Sequence, residues 1–228
     1  MKKIGKQVIC YFVGLFIISI GINFSKLSCL GITPVSSIPR ACEQIWGMTL
    51  GNTTMVVYLL FVVLQFIILR DKFKLINVLG IAVTFVFSAM IDMTGTDPDA
   101  FGHLLLVVPK PDNYFSSIFY MIIGMVVCAV GVFLYLAPNW VPMPAEGLAS
   151  AVSTVSGKTF GDCKTYIDTG MVVAALILQL LFCGGFSSFS GVDAVVREGT
   201  IICAVGIGQI VKLMSKKWSE RVREWLSA

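Results

Sequence analysis

Charge is what this chain lacks. Only 13% of its 228 residues are Asp, Glu, Lys or Arg, against 57% hydrophobic residues and a mean hydropathy of +0.87. A soluble domain carries about twice that share of charge, so the shortage excludes a free cytosolic enzyme and a nucleic-acid binder. It leaves a chain that uses lipid as its solvent. Histidine is almost missing too, with His103 the single copy. With no His-Cys-carboxylate cluster, no Ser-His-Asp set and no phosphate-cradling glycine loop, the sequence signals neither a metal nor a cofactor. An enzyme is the weakest reading, ATP hydrolysis included. The seven cysteines (Cys10, Cys29, Cys42, Cys128, Cys163, Cys183 and Cys203) are odd in number, mostly inside apolar runs and never spaced as Cys-x-x-Cys. They read as small apolar fillers, not as a zinc site or a disulfide framework.

What is present in abundance is long apolar sequence. Six runs, Val8 to Phe24, Thr54 to Leu69, Leu75 to Ile91, Ile118 to Leu136, Tyr166 to Cys183 and Gly199 to Met214, are each read as long enough to cross a hydrocarbon core of about 30 Å. The basic start Met1 to Lys6 precedes a long run with no small-x-small cleavage site after it, which reads as a retained first helix.

The chain also repeats itself. Shifted by 110 positions, Gly14 falls on Gly124, Gly21 on Gly131, Pro34 on Pro144, Ala41 on Ala151, Gly47 on Gly157, Thr49 on Thr159 and Gly51 on Gly161, with no gap. Chance predicts roughly 0.3 glycine matches over that stretch, against the four found, so the halves 1–113 and 114–228 read as a duplication.

Each half holds one polar stretch that is too short to cross alone. Positions 34–46 and 144–156 open with proline, which suits a first helical turn, and stop at Gly47 and Gly157, as helices often do. About 13 residues give a helix of about 20 Å. If both are re-entrant, each half crosses three times and the second half is inverted. The inner side then holds Lys2, Lys3, Lys6, Arg70, Lys72, Lys74, Lys158, Lys164, Lys212, Lys216, Lys217, Arg221 and Arg223, which is 13 of the 17 Lys and Arg residues. The outer loop Gly95 to Asn113 carries Asp97, Asp99 and Asp112 against Lys110. Had the short helices crossed, this sorting would run against the positive-inside rule. The expected fold is therefore an all-α membrane protein: six transmembrane helices as two inverted three-helix repeats, each with a short re-entrant half-helix. Both termini are expected inside, and an amphipathic helix over 216–228 is expected to lie on the inner leaflet.

A proline that opens a short polar helix, followed by Gly-x-Thr-x-Gly (Gly47, Thr49, Gly51; Gly157, Thr159, Gly161) and a glycine-bearing last span (Gly199 to Gly206), resembles the YczE/YyaS/YitT group of small bacterial membrane proteins. The resemblance covers both halves. It implies a multi-pass protein of the bacterial inner (plasma) membrane and points to transport, without naming a substrate.

The residues themselves say more about a site. Helix-breaking backbone inside a membrane is tolerated where protein buries it or where it lines a wet cavity, and paired half-helices are how many transporters build one. Ser36, Arg40 and Glu43, spaced i, i+4 and i+7, share one face of the first short helix, and their counterparts Glu146, Ser150 and Ser153 share the matching face of the second. The two faces are expected to look into one central cavity and to bind substrate. Glu146 stands in a first turn, where a carboxylate stabilises the helix dipole by about 0.3 to 1 kcal/mol, so capping and binding both stay open for it. A charge such as Arg40 costs at least about 2.5 kcal/mol inside a membrane. Its counterpart is only Ser150, so an ion pair with Glu43 or Glu146 is the plain alternative to a ligand. Asp168, with Tyr166, is placed to line the same cavity, and a proton relay is one role open to it. Asp162 is expected to cap the helix that follows it.

The functional expectation is a transporter or facilitator of a small polar solute, anionic by the half-helix N-termini and Arg40, or cationic or zwitterionic by Glu43 and Glu146. A non-transporting membrane subunit that binds substrate or a partner protein is the alternative. The expected partners are membrane lipid and a small-molecule solute. A homodimer is the expectation for assembly, since so small a chain often needs a partner; no nucleic acid is expected.

Overall fold

The Gly-x-Thr-x-Gly motif ends one helix and starts the next, and this junction organises both halves of the computed structural model. Residues 2–73, 75–96, 100, 102, 104–105, 108–182 and 194–227 are described. Lys74, Asp97, Asp99, His103, Cys183, the small-residue segment 184–191 and Asp193 lie outside them. The helices are α1 (Lys2–Leu27), α2 (Ser37–Trp46, entered through a 3-10 turn at Pro34–Ser36), α3 (Leu50–Leu69), α4 (Leu75–Thr94), α5 (Tyr114–Leu136), α6 (Pro144–Ser156), α7 (Phe160–Phe182) and α8 (Glu198–Ser227). All but α2 and α6 are long and apolar enough to cross a membrane.

Gly47 and Gly157 end α2 and α6 in the left-handed conformation, at φ 65° and 71°, which glycine enters without a Cβ clash. Two residues later a threonine caps the next helix. Thr49 Oγ1 accepts from Asn52 N at 3.2 Å, and Thr159 Oγ1 accepts from Asp162 N at 3.2 Å. These caps start α3 and α7 at Leu50 and Phe160, not at the expected 54 and 166. They also correct the cap expected at Asp162. That residue sits in the first turn of α7 and takes the Thr159 hydroxyl on Oδ2 at 2.8 Å.

The centre is the crossing of α1 and α5, whose sequences align at the shift of 110 and which run antiparallel. Gly14 and Gly131 face each other, as do Gly21 and Gly124. The contact 14 to 131 becomes, after the 110-residue shift, the contact 124 to 21. A Cβ on Gly21 would stand 2.6 Å from the backbone nitrogen of Cys128, and one on Gly131 would stand 2.6 Å from that of Ile18, so the two backbones meet where only glycine fits. The short helices pack across the halves, α6 on α3 and α2 on α7. Gln65 Nε2, for example, donates to Pro144 O at 3.0 Å.

One pairing breaks the correspondence. Helices α3 and α4 pack closely: Asp92 accepts the Thr49 hydroxyl and the Gly51 N–H, each at 2.8 Å, and the Tyr58 and Phe87 rings stack with centroids 6.1 Å apart. Their equivalents α7 and α8 are not packed along one another among the described residues. Helix α8 also runs unbroken from Glu198 to Ser227, about 45 Å at 1.5 Å per residue. The expected separate tail at 216–228 is thus a continuation of the last span, since no glycine or proline interrupts the chain after Gly208. Lys6 ties it to α1, with Nζ 5.4 Å from the Trp225 ring centroid and 3.3 Å from Trp225 O.

Candidate functional site

The first turns of the two short helices meet at one cavity of about 430 Å³. Proline brings this about: Pro34 and Pro144 open their helices with backbone that has no N–H to satisfy, so each first turn can face the interior. The cavity is lined by α1, the 3-10 turn, α3, α4, α5, α6, α7 and α8. Ten of the lining residues form five pairs separated by 110 positions: Ile18 and Cys128, Ile22 and Val132, Thr33 and Met143, Ser36 and Glu146, Tyr58 and Asp168. The cavity therefore lies where the two halves meet, and equivalent positions build it.

The charge on its lining is uneven between the halves. Glu146, Lys164 and Asp168 all come from the second half, while the first contributes the neutral Thr33, Ser36 and Tyr58. Lys164 Nζ lies 2.7 Å from Asp168 Oδ1, an i, i+4 pair on α7. Glu146 is half-buried, and its Oε2 is buried with no hydrogen-bond partner. Ser36 is buried and takes the Thr33 hydroxyl at 3.1 Å. The remaining wall is apolar, chiefly Ile18, Ile22, Phe87, Val132, Phe160 and Ile207. Thr165 on α7 and Ala204 and Gly208 on α8 line the cavity and are exposed as well, so it opens between these two helices.

Of the expected site residues, the structure brings Ser36, Glu146 and Asp168 to this cavity and takes the other four elsewhere. Glu43 is buried between two cations, Lys26 Nζ at 2.6 Å and Arg40 Nη1 at 2.6 Å. Arg40 is thus held by Glu43, the ion pair that sequence offered as the alternative to a ligand. Ser36 has φ −95° and ψ 0° at the junction of the 3-10 turn and α2, so the helical step of about 100° per residue does not carry across it to Arg40 and Glu43. In α6 only the first turn reaches the cavity; Ser150 is exposed, and Ser153 donates to Lys158 O at 2.8 Å. Tyr166 is exposed and lies against Lys158, 5.0 Å from its ring centroid to Nζ, and does not join Asp168 at the cavity. Lys164 and Lys26 were missed as partners because both are isolated lysines at span ends. The i, i+4 spacing of Lys164 to Asp168 was the available signal. Among the described residues no three of His, Cys, Asp and Glu gather in a way that could hold a metal ion.

A protein-family model described as a family of unknown function, DUF6198, matches residues 5–216. The chain is also similar to the "Uncharacterized protein YyaS" of Bacillus subtilis (strain 168), 24% identical over 173 residues that cover 74% of this chain and 79% of that protein. No solved structure matches it.

Proposed function

The chain belongs to the DUF6198 family, and from that premise we propose that it is a membrane transporter or facilitator that carries a small solute through the cavity between its two short helices. The observation that carries this reading is the set of five repeat-related pairs around one cavity. A site formed by equivalent positions of two repeats is the arrangement by which many transporters expose one site to either side in turn. The antiparallel packing of α1 on α5 supports an inverted second half, with α2 and α6 re-entrant. The sorting of lysine and arginine supports a multi-pass protein of the bacterial inner membrane with both termini in the cytoplasm. Broken helices aimed at a common cavity serve passage better than they serve a scaffold. With Arg40 held by Glu43 away from the cavity, the argument for an anion loses its support; Glu146, Lys164 and Asp168 suit a zwitterion or a cation.

Liposomes containing only this chain provide the test, with a panel of radiolabelled small amines, amino acids and carboxylates. At least one solute should move down its gradient without another subunit. The variant Ala204→Phe, which fills the mouth of the cavity from the exposed side of α8, should abolish that movement. A solute that binds but never crosses would support a binding subunit instead.

A further inference from the structure

We propose that the solute is an amphiphilic organic cation bearing N–H donors, a primary or secondary ammonium on an apolar body. The inference rests on the transport reading for what the cavity is for, and on the cavity itself for the chemistry. A volume of about 430 Å³ suits a molecule of roughly ten to twenty heavy atoms, at the lower end of small-molecule sites. Most of its wall is aliphatic or aromatic, so most of the occupant must be apolar.

One acceptor at the polar end has no donor turned to it. Glu146 Oε2 is buried without a partner, and a buried acceptor left unsatisfied is costly unless an occupant supplies the missing hydrogen. Among the described residues, Lys164 is the one cation lining the cavity, and its ammonium pairs with Asp168 at 2.7 Å. One lysine set against two carboxyl groups leaves the Glu146 side in need of a positive group with hydrogens to give. An anion would meet two carboxyls. A quaternary ammonium would bring charge but no N–H. The opening between α7 and α8, where Thr165, Ala204 and Gly208 are exposed, gives an apolar body a way in from the bilayer.

Isothermal titration calorimetry of the whole chain in lipid nanodiscs tests this with three probes of one shape: 2-phenylethylammonium, its N,N,N-trimethyl analogue and 3-phenylpropanoate. The primary ammonium should bind, the trimethyl analogue should bind at least about tenfold more weakly, and the carboxylate should not bind. In Glu146→Gln the affinity for 2-phenylethylammonium should fall by about ten- to a hundred-fold, the loss of one charge-assisted hydrogen bond. Its melting temperature should hold or rise, because a buried carboxyl has been removed, so a loss of affinity is separated from misfolding. Ala204→Phe, altered on an exposed position, should block binding by volume alone. The proposal is overturned if the ammonium fails to bind, if the carboxylate binds as tightly, or if Glu146→Gln keeps full affinity. Binding of the ammonium without uptake into liposomes would sink the transport reading and leave the site standing. Uptake of 3-phenylpropanoate without ammonium binding would do the reverse.

Discussion

Glu43 shows how a charge that looks functional in sequence can be structural. Its carboxylate is buried between Lys26 and Arg40, each at 2.6 Å, and breaking a buried ion pair costs about 3 to 5 kcal/mol. Glu43→Gln should therefore lower the melting temperature by roughly 6–12 °C, taking the low end of that range. Lys26 still holds Glu43 when Arg40 is removed, so Arg40→Ser should cost less than Glu43→Gln, about 1.5 to 3 kcal/mol for the charge-assisted hydrogen bond lost. Because Arg40 does not line the cavity, that variant should bind 2-phenylethylammonium as tightly as the parent, measured by calorimetry beside thermal unfolding. A tenfold loss of affinity would return Arg40 to the site. Ser36, Glu146 and Asp168 were legible because proline marks where a short polar helix begins and because a carboxylate is costly within a membrane span. Arg40 and Glu43 lie off this cavity because the α-helical period does not carry through Ser36, whose backbone departs from α-helical geometry. Thr33 and Tyr58 had no signal, since a lone hydroxyl in an apolar run is ordinarily a packing residue.

At the scale of the helices, the crossing of α1 and α5 rests on backbone contact. Gly21→Val would push a side chain into the backbone of Cys128 and Gly124. Neither backbone can move without separating the helices, so the cost should be about 3 kcal/mol or more. Gly170→Ala on α7, where a Cβ meets nothing within 4 Å, should be neutral or stabilising by about 0.5 to 1 kcal/mol. Denaturant melts of the two variants decide it, and equal stabilities would show that the close approach is dispensable. The spans were legible from their apolar runs and the short helices from proline and glycine punctuation. The starts of α3 and α7 were missed by four and six residues because Thr49 and Thr159 extend each helix by capping it within polar sequence. The tail's amphipathic pattern follows an apolar run, and nothing between them breaks the helix, so both belong to α8.

For the whole molecule, the proposed inversion of the second half predicts which surfaces face which compartment. Single cysteines placed at Lys72 and Lys158 in a cysteine-free background should react with an impermeant maleimide only from the cytoplasmic side, and one at Lys110 only from the other. Reaction of position 72 from outside would refute the inversion. The junction of the first and last spans carries a different consequence. The turn after α1 is completed by residues that lie far along the chain: Arg197 Nη1 donates to Cys29 O at 3.0 Å, Gly199 N to Leu30 O at 2.9 Å, and Ile32 N to Val195 O at 3.2 Å. Arg197 is 168 residues beyond Cys29, which at a ribosomal rate of about 5–20 residues per second is roughly 10–30 s of synthesis. Until then the hydrogen bonds from Arg197 and Gly199 to the carbonyls of Cys29 and Leu30 cannot form. The turn that follows the first helix is thus closed by residues at and just before the start of the last one to be made.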